Sequence, residues 1–139
     1  LIERKLICEA YIEDHHGGFP IDYKFMCIHG KPFCVLACTG RETGDTDFMP
    51  FTLDWKPLPE YNKKGELYDI PKPKELDKMI LIATKLANGL ELVRVDLYDT
   101  GDKIYFGEMT LTPAGAIFHS WSQKALDDMG SFYYKTMKK

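Results

Sequence analysis

The chain has 139 residues, 45% of them hydrophobic and 13% aromatic, and a formal net charge of -3. That length and apolar content suffice for one domain with its own core and exclude a disordered chain. The acidic balance leaves no basic footprint for nucleic acid, and no apolar run reaches the roughly 18–20 residues of a membrane span.

No signal peptide is visible, because Leu1-Ile2-Glu3-Arg4-Lys5 leads straight into a strand pattern. The chain begins without Met and reads as a piece of a longer, cytoplasmic protein. Leu6 to Ile12 is almost continuously apolar, which predicts a strand buried on both faces. Glu9 interrupts it, and a carboxylate in such a strand needs a partner or a ligand. Residues 13–20 form a polar loop with Gly17, Gly18 and Pro20. The adjacent His15-His16 resembles a metal pair, but on a Gly-rich loop it reads as solvated. Ile21 to Ile28 is the next strand, with Asp22 and Lys24 on one face. His29-Gly30-Lys31 turns the chain into Phe33 to Cys38, which gives a hairpin. Cys8, Cys27, Cys34 and Cys38 all fall in strand-like runs, and no pair has the C-x₂-C spacing of a zinc knuckle. They read as buried, reduced thiols of a cytosolic protein.

Residues 39–48 are loop-like and hold a DxD triplet, Asp45-Thr46-Asp47. Phe51 to Trp55 predicts a short strand. Residues 56–73 carry Pro57, Pro59, Pro71 and Pro73 without periodicity and form a long loop, a feature that is often functional. Its neighbours Trp55, Tyr61 and Tyr68 either recognise an acceptor or pack onto the sheet. Pro73 opens a helix where proline is best tolerated. Leu76, Met79, Ile80, Ala83 and Leu86-Ala87 give its apolar stripe, and Asn88-Gly89 ends it. A second hairpin spans about 91–111. Thr112 to Ala116 is a turn, and Ser122 to Tyr134 is a helix that Gly130 weakens. The order of elements predicts an α+β fold, an antiparallel β-sheet with helices on one face.

The second hairpin carries the chemistry. Arg94 and Asp96 share a face of one strand, and Glu108 lies on the other. Two carboxylates and an Arg on one face suit a divalent cation and the phosphates it carries, since Mg²⁺ takes one or two carboxylates plus substrate phosphates. A solvated sheet face with an ordinary Arg–carboxylate pair is the plainer reading. Register decides between them. A two-residue turn at Thr100-Gly101 puts Asp96 and Glu108 on opposite faces, whereas an odd-length loop or a bulge brings them together.

The run RVDLYDTGDKIYFGEMTLTPAG resembles the end of an ATP-grasp domain, and LICEAYI resembles its adenine-binding hinge. IDYKFMCIHGKPFCVLACTGR, LDWKPLP and PKPKELDKMILIATKLANGLELVRVDLYD are similar to the TupA-like ATP-grasp family, linked to teichuronopeptide and other cell-surface polysaccharide synthesis. The resemblance runs from about Leu6 to Gly130. It implies ATP and Mg²⁺ as cofactors. Asp96 and Glu108 match the metal-ligand carboxylates, and Thr110 stands where most ATP-grasp enzymes place an Asn ligand. Arg94 matches the Arg that holds the transferred phosphoryl group, and Lys24 faces the same cleft. Glu9 matches the hinge carboxylate, the backbone of Ala10 and Ile12 flanking Tyr11 matches the adenine contact, and Asp22 stands where a carboxylate holds the ribose.

The resemblance further implies that residues 1–139 are a single domain, the C-terminal, nucleotide- and metal-binding half of an ATP-grasp fold, with the N-terminal half absent. Such a half binds nucleotide weakly, does not turn over alone, and exposes apolar surface that favours a homodimer. The complete enzyme would join a carboxylate to an amine through an acylphosphate, with a small-molecule or glycan acceptor. Two other functions compete. One is a glycosyltransferase of the same pathway, for which the DxD is the only sign and the parallel β–α alternation is missing. The other is a degenerate, non-catalytic ATP-grasp module, which Thr110 in place of Asn keeps open.

Overall fold

Residues 25–28 and 32–38 are continuously apolar, and the chain folds back on itself at His29-Gly30. Both turn residues have positive φ (47° and 74°), as a tight two-residue hairpin turn requires. In this computed structural model, which describes residues 3–14, 17–40, 44, 46–116 and 120–137, the hairpin is the centre of the sheet. Its strands are β1 (Asp22–Ile28) and β2 (Lys31–Thr39). β3 (Asp47–Phe51) adds to β2, β4 (Leu92–Asp99) to the free side of β1, and β5 (Ile104–Thr110) to β4. The sheet has five strands in the order β3-β2-β1-β4-β5, and every pair is antiparallel.

The α+β class with an antiparallel sheet is as expected, but the helices do not share a face. On one side, Tyr23, Phe25 and Cys27 of β1 pack with Val35, Met49 and Val95 against Leu76, Met79 and Ala83 of α1 (Leu76–Leu86). On the other side, Met26, Ile28 and Cys34 pack against Trp121, Ala125 and Met129, the last two from α2 (Gln123–Met137). The central strands are buried on both faces, so each face needs its own cover. Gly130 lies inside α2 without ending it. Ser122 starts that helix: its Oγ accepts from the Ala125 N–H and donates to the Glu60 carbonyl.

The expected strand at Leu6 to Ile12 is not formed. The segment enters no ladder and runs exposed, Leu6 fully so. The short strand expected at Phe51 to Trp55 is shifted toward the N-terminus and ends at Phe51. Trp55 instead takes a positive φ of 66° at a turn. Its ring stacks on Phe51 at 4.2 Å and its Nε1 donates to the Ile70 carbonyl, contacts that hold this strained backbone in place. His15-His16 and Asp45 of the DxD triplet lie outside the described residues.

Candidate functional site

α2 covers only the Met26–Ile28 end of its face. The other half of that face is open, and its floor is polar. Lys24 of β1 lies opposite Asp96 of β4, with Asp22 and Tyr98 as the next pair in that direction. β5 completes the row through an irregularity in its pairing with β4. Asp96 pairs with Glu108, but Leu97 pairs with Phe106, so Gly107 is the extra residue. This bulge puts both carboxylates on one face. It is the arrangement that the metal-binding reading of the hairpin requires.

Glycine is needed there. A Cβ on Gly107 would lie 2.9 Å from the Tyr98 ring and 3.1 Å from the Asp96 carbonyl oxygen. The ring can swing aside, but the backbone oxygen is fixed in the ladder.

The charged side chains form one continuous network. The Lys24 ammonium donates to Asp22 Oδ2 at 2.6 Å and to Asp96 Oδ2 at 2.5 Å. Arg94 grips Asp96 with both arms, Nε to Oδ1 at 2.7 Å and Nη2 to Oδ2 at 2.8 Å. The same Nη2 reaches Glu108 Oε1 at 2.5 Å, which also accepts from the Thr110 hydroxyl at 3.0 Å. Burial falls along this series. The Asp22 and Asp96 side chains are almost sealed and that of Lys24 nearly so, whereas the Glu108 side chain is 61% exposed. Burial works against the Arg94 charge, but the hydrogen bonds and charge of Asp96, with Glu108 and Asp22 beyond, hold the guanidinium above its ordinary pKa. Two basic side chains thus serve three carboxyl groups.

These residues line a cleft of about 330 Å³ together with Glu9 and Ile12 of the N-terminal segment. The cleft therefore gathers Glu9, Ile12, Asp22, Lys24, Arg94, Asp96 and Glu108, with Thr110 bonded at its edge. Ala10 and Tyr11 do not line it, and the Tyr11 ring packs edge-on against Phe19. Glu9 is exposed rather than enclosed in a strand. Tyr98, Phe106 and Gly107 also line the cleft, and nothing in the sequence reading singled them out. For Tyr98 a signal existed, since it lies two residues past Asp96 on the same face. For Gly107 it did not, because a bulge is a property of the pairing.

The donor set suits a hard cation shared with phosphates. Asp96 uses three of its four lone-pair sites, and among the described residues Oε2 of Glu108 is unengaged. No cluster of three or more His, Cys, Asp or Glu side chains stands ready as a complete metal cage among the described residues. One or two carboxylates with phosphate oxygens supplying the rest is the usual pattern for Mg²⁺. No helix of the described residues is long and apolar enough to cross a membrane.

Comparison with curated proteins and with solved structures returned no match. A family model, TupA-like ATPgrasp, matches residues 1–132. With nearly its whole length matched, and with the carboxylate pair and Arg on one strand face, the chain belongs to the TupA-like ATP-grasp family.

Proposed function

We propose that this chain is the nucleotide- and magnesium-holding half of an ATP-grasp ligase that forms an amide-type bond. The bulge at Gly107, which sets Asp96 and Glu108 side by side beneath Arg94, carries this reading. Asp96 and Glu108 would hold the cation, with the Thr110 hydroxyl orienting Glu108. When bound, the cation would neutralise phosphate charge and align the terminal phosphoryl group.

Arg94 and Lys24 then have defined tasks. Arg94 presents a planar fork that grips phosphoryl oxygens, and its second arm is already at the exposed Glu108. Lys24 is held between two carboxylates and supplies a fixed positive charge under the cleft floor. Glu9 and Ile12, the two residues of the N-terminal segment that line the cleft, would border the base. Asp22 would border the ribose by way of the row it shares with Tyr98. The reaction moves the terminal phosphoryl group of ATP to a carboxylate oxygen and releases ADP. An amine then attacks the acyl carbon, and phosphate leaves. These steps need positioning and charge stabilisation rather than a protein nucleophile. The family resemblance supports a product in cell-surface polysaccharide or other glycopolymer synthesis, and our reading takes the site of action as cytoplasmic.

The test is phosphate release by the full-length protein supplied with Mg²⁺, ATP and pooled carboxylates and amines. Release that requires both a carboxylate and an amine, and falls by about 10²-fold or more in Glu108→Gln, is expected. A well-folded protein that binds nucleotide but releases no phosphate with any pair would make it a binding module. That second reading has its own support, since Thr110 stands where most ATP-grasp enzymes place an Asn ligand.

A further inference from the structure

The carboxylates of the cleft do not offer all their oxygens to a cation. Each carboxylate oxygen has two lone-pair sites. On Asp96, Oδ2 uses both, accepting from the Lys24 ammonium and from Arg94 Nη2, and Oδ1 uses one, accepting from Arg94 Nε. On Glu108, Oε1 uses both, accepting from Arg94 Nη2 and from the Thr110 hydroxyl. Among the described residues this leaves one site on Asp96 Oδ1 and the whole of Glu108 Oε2.

The donors that close the other oxygens are themselves held. Lys24 is nearly sealed and is pinned from its other side by Asp22. Arg94 is mostly buried along its own strand. Among the described residues its Nη1 donates to no protein group. Both N–H groups of that arm are therefore available to phosphoryl oxygens while Nε and Nη2 stay on the carboxylates. Thr110 is opposite Arg94 in the ladder and two residues past Glu108 on the same face of β5. Its hydroxyl has a single proton, and that proton goes to Glu108.

We propose that Thr110 is a positioning residue that closes one oxygen of Glu108, so that the cleft takes one divalent cation and not a bridged pair. A carboxylate bridges two ions by placing one oxygen on each. Asp96 has one oxygen closed by Lys24 and Arg94, and Glu108 has one closed by Arg94 and Thr110, so neither can bridge. Two open oxygens on two carboxylates, with phosphate oxygens supplying the rest, are what a single Mg²⁺ takes. This rests on the ligase reading for the presence of a cation and adds how many the cleft holds.

The experiment is equilibrium dialysis of the full-length protein against ADP and Mn²⁺, the latter in place of Mg²⁺, with bound manganese and bound ADP counted separately. One manganese per bound ADP is expected up to saturation. Thr110→Ser should keep both the count and the affinity. Thr110→Val should weaken manganese binding by about threefold or more, because Glu108 loses the donor that orients it. Circular dichroism of each variant checks the fold. Two manganese ions per bound ADP, a folded Thr110→Val that binds manganese as the native protein does, or a folded Thr110→Ser as weak as Thr110→Val would each overturn the proposal and leave the ligase reading standing. ADP retained with no manganese would fault the ligase reading and the cation count with it.

Discussion

At the scale of single residues, Lys24 holds the site together. Its ammonium is nearly sealed from solvent and bridges two buried carboxylates on neighbouring strands. Lys24→Met removes the charge that both Asp22 and Asp96 face. A buried pair broken from one side costs about 3–5 kcal/mol, so urea denaturation should show a loss of that order. A loss below ~1 kcal/mol would mean that the carboxylates are solvated in practice. Gly107 tests the bulge. Gly107→Ala should cost about 1–3 kcal/mol, because the new methyl meets the Asp96 carbonyl and the Tyr98 ring. It should also weaken nucleotide binding more than a stability-matched core substitution such as Ile28→Val does. Equal weakening by the two would separate the bulge from the site.

At the scale of elements, the strand hairpins were readable in the sequence, and what they pair with was not. The β4–β5 hairpin and its two carboxylates followed from alternation and a polar turn. Whether the carboxylates met depended on one extra residue in the pairing, which composition cannot encode. Leu6 to Ile12 reads as strand from its apolar content, yet it joins no ladder, because apolar content signals burial and names no pairing partner. The cysteines divide along the same line: Cys27, Cys34 and Cys38, in strands that form, are buried as expected, whereas Cys8, in the segment that joins no strand, is exposed rather than buried. An aromatic disulfide reagent should therefore modify one thiol per native chain quickly and three only on unfolding. Two or more fast thiols would contradict the packing. Burial pushes the Cys27 thiol up to about 12 and Cys34 higher still. Unfolded thiols ionise near about 8.5, so this stabilisation is complete below that pH and is lost as pH rises toward 12. The urea midpoint should fall between pH 8 and pH 10, and a flat profile would count against sealed thiols.

At the scale of the whole molecule, two helices on opposite faces divide the work. α1, with Trp55, Tyr68 and Ile70, covers one side of the sheet, where Val93, Val95 and Leu97 are buried. α2 closes the other side only at the Met26–Ile28 end, held there by the Tyr61–Asp128 hydrogen bond and by the His29 ring against Tyr133 and Thr136. The half it leaves uncovered carries the carboxylates, Lys24 and Arg94, the site proposed for nucleotide and cation. The family and the charged row could be read from sequence motifs in order. The division of one face between core and cleft could not, because both helices have similar apolar stripes and nothing local assigns them a side. The measurement that bears most directly on this account is calorimetric titration of ADP–Mg²⁺ into the full-length protein and its Asp96→Asn/Glu108→Gln variant. The account predicts metal-dependent binding that the folded double variant loses by at least about tenfold. Nucleotide binding that is equally tight without magnesium, or in the double variant, would contradict it.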